Sequence, residues 1–114
     1  MNCNIIAYPL FEKELKRLAK RYKSLKKDYA ALLDELTENP MAGVCLSKGL
    51  RKVRMKIAAK GKGKSGGARV ITIVANVDVK SLEVGLLYIY DKSERESISD
   101  RELLEIARRN GLPL

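Results

Sequence analysis

Histidine and tryptophan are absent from this chain, phenylalanine occurs once, and cysteine only twice. Each scarcity removes a class of explanation. Without histidine, the commonest acid–base group near neutral pH is missing, so proton transfer falls to lysine, tyrosine or a carboxylate. Cys3 and Cys45 lie far apart, show no C-x-x-C spacing, and have no histidine to complete a zinc site. They read as small buried or half-buried side chains. With so little aromatic volume, aliphatic side chains must fill the interior. No apolar run approaches the ~20 residues of a membrane span. The opening MNCNIIAYPLF lacks the basic region and long apolar stretch of a secretory signal, so the expected compartment is the cytoplasm.

A further absence is local. Between Asn39 and Val77 there is no acidic residue, but there are nine basic ones. The other 14 cations are matched by 14 acids, so the whole net charge of +9 resides in this central segment. Such segregation favours a polyanionic partner, most simply nucleic acid. The densest part is Leu50 to Arg69, LRKVRMKIAAKGKGKSGGAR. Its first half alternates: Val53, Met55 and Ile57 point one way, and Lys52, Arg54 and Lys56 the other. The second set would form a row of three charges about 7 Å apart, close to the phosphate spacing of a nucleic-acid strand. Ala59 to Ala68 then reads as a mobile glycine-lysine loop, without the spacing of a P-loop.

The 114 residues fit one domain spanning 1–114. Asn4 to Tyr8 is short and β-branched enough for a first strand. Pro9 suits a helix opening, and Phe11, Leu15, Leu18, Tyr22 and Leu25 form one helical stripe. Tyr29, Leu32, Leu33 and Leu36 form a second stripe, ended by Asn39-Pro40. Ser24 is placed to break the two helices and cap the second; one continuous bent helix is the alternative. The lysine-rich face of the first helix reads as a solvated surface. Gly43 and Gly49 flank a short extended piece, VCLSK. Arg69 to Val77 and Leu82 to Tyr90 are strands joined by a turn at Asp78 to Ser81. On the second of these strands, Tyr88 and Tyr90 share one face, with Leu87 and Ile89 on the other. An antiparallel meander is the simplest arrangement. The last helix opens with the capping box Ser99-x-x-Glu102 and an Ile98–Leu103 staple. Leu103, Ile106 and Ala107 are its inner positions, and Asn110-Gly111 stops it.

With GLRKVR, KGKGKSGGARVI and LLYIYDKSE in this order of elements, the chain resembles the RelE/ParE toxin superfamily, most closely its HigB-like, RelE-type branch. The likeness covers nearly the whole chain, and its specific parts are Gly49 to Ile71 and Leu86 to Glu94. The resemblance implies an α+β, RelE-like fold, β-α-α-β-β-β-α. In it a small antiparallel sheet packs against an N-terminal helical pair, with a C-terminal helix. It also implies a type II toxin that enters the ribosomal A site and cuts messenger RNA by metal-independent attack of the 2′-hydroxyl. No cofactor is implied, and the partners are messenger RNA, the ribosome and a cognate helix-turn-helix antitoxin.

On the same resemblance, the catalytic set is Lys52, Arg54, Arg69, Tyr90 and Lys92. Arg51, Lys56, Lys60, Lys62 and Lys64 form the RNA- and ribosome-binding set, Lys62 and Lys64 matching the branch's basic loop. The chain departs from some members in carrying Ser93 and Ser99 where they have arginine and tyrosine. Arg95 is then the nearest cation. Two other functions are open: a catalytically decayed homologue acting as an RNA- or antitoxin-binding module, and a ParE-like gyrase poison.

Overall fold

The helical stripes and the strand alternation sort the apolar side chains into two clusters, one on each side of a single sheet. The computed structural model describes residues 2–114. Strand β1 (Asn2–Ala7) leads into α1 (Pro9–Arg21), with Pro9 at its first position, where no N–H is needed. A break at residues 22–24 separates α1 from α2 (Leu25–Glu38), so the N-terminal pattern is two helices. Then follow β2 (Val44–Cys45), β3 (Leu50–Met55), a 3₁₀ turn (Ala58–Lys60), β4 (Ala68–Asp78), β5 (Ser81–Asp91) and α3 (Asp100–Arg109).

Among the described residues the fold is α+β, with three α-helices and one five-stranded sheet in the order β1-β5-β4-β3-β2. Strands β3 to β5 form the antiparallel meander expected, and the short extended piece before them adds one further antiparallel strand, β2, beside β3. The expectation of an all-antiparallel sheet is corrected at one edge: β1 runs parallel to β5, from Asn2 opposite Ser81 to Ala7 opposite Leu86. A parallel neighbour needs a long crossover, and both helices and three strands lie between β1 and β5 to supply it. No helix among the described residues is long and apolar enough to cross a membrane.

Helices α1 and α2 cover one face of the sheet. Phe11, Leu18, Leu25, Leu32 and Leu36 pack there on Val53, Met55, Val70, Val84, Leu86 and Ile89. Each such burial stabilises the fold by about 1.5–3 kcal/mol before entropy is counted. Helix α3 covers part of the other face, placing Leu103 and Ile106 against Leu50, Ile71, Leu87 and Tyr90. Strict alternation would set Leu87 with Ile89, but a bulge intervenes. Ile71 pairs with Tyr88 and Thr72 with Leu86, so Leu87 is the extra residue and joins the tyrosine cluster instead.

The α3 cap forms as expected: Ser99 Oγ accepts from Glu102 N at 3.2 Å, and Ser99 N donates to Glu102 Oε1 at 3.1 Å. Ser24 behaves differently. It holds the N-cap position of α2 but makes no side-chain cap bond. Its hydroxyl donates to Asp28 Oδ2 (2.7 Å), a charged acceptor, and accepts from Ala59 N (2.8 Å).

Candidate nucleic-acid interface

Three adjacent strands bring three of the expected residues into one transverse row. Arg54 on β3 lies opposite Arg69 on β4, which lies opposite Tyr90 on β5. Residues paired in this way share a face, and this face is the one α3 covers in part. Lys52 sits in the next row, opposite Ile71. Strand β2 pairs with β3 only at Arg51 and Lys52, so the outer edge of β3 beyond them is unpaired. A shallow groove of about 260 Å³ runs there, lined by Lys52, Arg54 and Lys64 with Glu35, Gly43, Val44 and Val53. Lys52, Arg54 and Lys64 therefore line one groove, and Arg69 lies buried beside Arg54.

The cations there do different work. Arg54 is exposed, whereas Arg69 is only 5% exposed and has no carboxylate partner among the described residues. Its guanidinium donates to the carbonyls of Lys64 (3.1 Å), Ala68 (3.2 Å) and Ser65 (3.1 Å), clamping the end of the glycine-lysine loop. Burial, and then the neighbouring charge of Arg54, lowers its pKa. Gly67 supports the same junction. A β-carbon there would lie 2.2 Å from the Met55 carbonyl, and the Gly67 carbonyl accepts from Lys92 N at 3.0 Å.

The loop's other end is also fixed. Ala58 N donates to Asp28 Oδ2 at 3.1 Å, and Lys60 Nζ to Asp91 Oδ1 at 2.7 Å. The loop read as mobile is thus anchored at both ends, the first by Asp28 and Asp91, distant in sequence, and the second by the local Arg69 clamp, with residues 61–65 exposed between them.

The reading of Lys60 is corrected. Its side chain is 9% exposed and paired with the fully buried Asp91, which also accepts from the Tyr22 hydroxyl, Ser93 N and Ser93 Oγ. Burial pushes the Asp91 carboxyl up, but these donors outweigh it and hold the group well below the usual carboxylate range. Lys60 is a structural cation, not a surface ligand for RNA. Arg51 is engaged as well, donating to the carbonyls of Ala42 (3.3 Å) and Gly43 (3.0 Å). Lys64 reaches Glu35 at 3.1 Å while lining the groove.

Lys56 lies past the end of β3, beside Asp28, Leu32 and Glu35, so the row of three charges is a row of two. Lys62 is exposed, its stem against Gly66. Lys92 is half-buried, in the turn after β5.

Tyr90 is 2% exposed, and its hydroxyl is buried without a hydrogen-bond partner among the described residues. Burial raises its pKa, more than Arg69 and Arg95 lower it, so the phenol keeps its proton and is available as a hydrogen-bond donor. Two neighbours named in the sequence, though not in its catalytic set, stand beside it. The Tyr88 ring lies 6.3 Å from that of Tyr90, and Arg95 sits 5.9 Å over the Tyr90 ring, held by Glu102 and by the Ser97 carbonyl. The i, i+2 relation of Tyr88 to Tyr90 is a legible signal. Arg95 was legible as the nearest cation after Lys92, but its seat over the Tyr90 ring depends on the path from β5 into α3. No group of three or more acidic, Cys or His side chains is placed to hold a metal ion among the described residues.

Compared with protein-family models the chain matches none, and a search of curated proteins likewise finds no match. The site therefore rests on its own geometry and on the sequence motifs.

Proposed function

We propose that this protein is a toxin of the RelE/ParE superfamily, HigB-like branch, with a RelE-like fold, and that it cleaves messenger RNA on the ribosome. The observation that carries the reading is the row Arg54–Arg69–Tyr90 across three strands, with no carboxylate in it. Cleavage by the 2′-hydroxyl develops negative charge on the phosphorane and needs preorganised cations beside it. Arg54 is exposed and Lys52 half-exposed, and both line the groove along β3, so these two are the groups that touch phosphate. Arg69 lies behind them, adds charge, and fixes the loop that frames the groove. Tyr90, kept protonated by burial, would donate a hydrogen bond to the leaving oxygen once uncovered. Lys92 and Lys62 flank the site as further phosphate ligands. The antitoxin partner and the cytoplasmic setting belong to the same proposal.

A binding-only role is favoured by one observation: the Tyr90 hydroxyl is buried, beneath Arg95. Induced expression separates the readings. Arrest of growth with cut messenger RNA, both abolished in Arg54→Ala, supports the nuclease. RNA or ribosome binding without cut products supports the module. Loss of DNA supercoiling activity in purified gyrase would point to the ParE-like alternative. An Arg54→Ala variant that remains fully toxic defeats the proposed site.

A further inference from the structure

Tyr90 stands between two cations, Arg69 from β4 and Arg95 from the turn after β5. The row across the sheet is thereby extended to Arg54, Arg69, Tyr90 and Arg95. Its last step is closed. The Tyr90 hydroxyl is buried without a hydrogen-bond partner among the described residues. Leu103 of α3 packs in the same cluster, and the Arg95 guanidinium lies 5.9 Å over the ring. A buried hydroxyl left unpaired costs free energy, so the closed form holds a group that gains from meeting an acceptor.

The backbone that carries this cover is fixed. Arg95 N donates to the Asp91 carbonyl at 3.2 Å, and Glu94 beside it is held by Arg17 (2.7 Å) and Arg21 (2.9 Å). Only the side chain of Arg95 is left to swing. Its Nη2 donates to Glu102 Oε2 and its Nε to the Ser97 carbonyl at 3.2 Å. The side chains of this ion pair are 32% and 46% exposed, and a pair so open to water contributes little. Glu102 divides its oxygens. Oε1 accepts from Ser99 N (3.1 Å) and Ser99 Oγ (3.0 Å), closing the cap of α3, and Oε2 takes Arg95. Arg95 can therefore leave Glu102 without uncapping the helix.

We propose that the Arg95–Glu102 pair is a cover on Tyr90 which an RNA phosphate opens, taking the guanidinium from the carboxylate. Phosphate offers the arginine fork two oxygens, whereas Glu102 has only Oε2 to give. Arg95 is then a phosphate ligand on the far side of Tyr90 from Arg54, and Glu102 competes for it. In taking RNA as the source of the phosphate, the inference rests on the function proposed above. The cover itself is tested without RNA.

The probe is a labelled single-stranded deoxyuridine oligomer, which lacks the 2′-hydroxyl and is not cut, titrated against the full chain by fluorescence anisotropy. Glu102→Gln keeps a side chain fit for the cap and should bind the oligomer about two- to fivefold more tightly, the worth of an exposed ion pair. Glu105→Gln makes the same charge change on an exposed residue of α3 that has no ion pair among the described residues, and should change affinity less. Arg95→Met should bind more weakly, with a salt slope smaller by about 0.7. In that background Glu102→Gln should gain no more than Glu105→Gln. Hydroxyl-radical labelling of the free protein, read by mass spectrometry, should mark Tyr90 several-fold faster in Arg95→Met than in the parent. Phe11, fully buried under the other helices, should stay unmarked in both. Equal gains from Glu102→Gln and Glu105→Gln overturn the proposal, as does Tyr90 labelling that Arg95→Met leaves unchanged. An oligomer that no form binds removes the RNA reading and the exchange with it. Exchange and labelling as expected, with messenger RNA left uncut by the parent on the ribosome, uphold the cover and defeat the nuclease.

Discussion

Replacing Lys60 with methionine separates a structural cation from an RNA ligand. The Lys60 ammonium is 2.7 Å from Asp91, with side chains 9% and 0% exposed. Removing one member of a buried pair costs about 3–5 kcal/mol, because the other charge is left without its counterion. Asp91 keeps the Tyr22 hydroxyl, Ser93 N at 2.9 Å and Ser93 Oγ at 2.8 Å, and Arg21 remains 3.9 Å away. The expected loss is therefore at the low end, about 3 kcal/mol. For a domain of this size that lowers Tm by roughly 12 °C, at about 4 °C per kcal/mol.

The pH dependence has a definite sign. The Asp91 carboxyl is depressed on folding, so its contribution is complete above its unfolded pKa of about 4 and is lost as pH falls toward the lower folded value. The parent should lose stability in urea as pH falls below about 5. Lys60→Met should show a shallower acid limb, and the gap between the two should narrow on acidification. RNA affinity of the folded variant, and its salt slope, should equal the parent's. An unchanged Tm together with a salt slope smaller by about 0.7, the value for one phosphate contact on a single strand, would refute the assignment and return Lys60 to the RNA surface.

Tyr90→Phe removes a buried hydroxyl that has no partner, so stability in urea should stay level or rise by up to about 1 kcal/mol. RNA cleavage should fall in the same variant; unaltered cleavage takes the phenol out of the chemistry. Arg69→Lys keeps the charge but not the fork that reaches three carbonyls. Amide hydrogen exchange at residues 64–67 should accelerate while the core strands stay protected, and uniform protection would mean the clamp is dispensable. Ser99→Ala removes the cap of α3 and should cost about 1 kcal/mol in a urea melt; no change would mean that Glu102 alone holds the helix start.

Much of the fold was legible because it follows from local periodicity. The stripe from Phe11 to Leu25 and the alternation of Val53, Met55 and Ile57 state which side chains are inward, and all of these but the half-buried Leu15 and Tyr22 are buried. The Ser99–Glu102 box is closed within four residues and formed as read. The misreadings share a cause. The parallel β1, the bulge at Leu87 and the tied loop each depend on partners far along the chain, and no local pattern encodes such a partner.

The sequence alone determined the segregation of charge and the in–out pattern. An acid-free segment of nine cations is a property of composition, and a β-strand's two-residue period puts Lys52 and Arg54 on one side whatever lies around them. Only the tertiary structure decided which cations stay open to a ligand. Lysine and arginine are alike in the sequence, but Lys60 meets Asp91 31 residues away, Lys64 meets Glu35 29 residues away, and Arg51 and Arg69 meet backbone carbonyls. A charge is free or engaged according to the acceptors that folding brings within hydrogen-bond reach. That placement leaves Arg54 and Lys52 facing the groove and puts Asp91 beneath the loop.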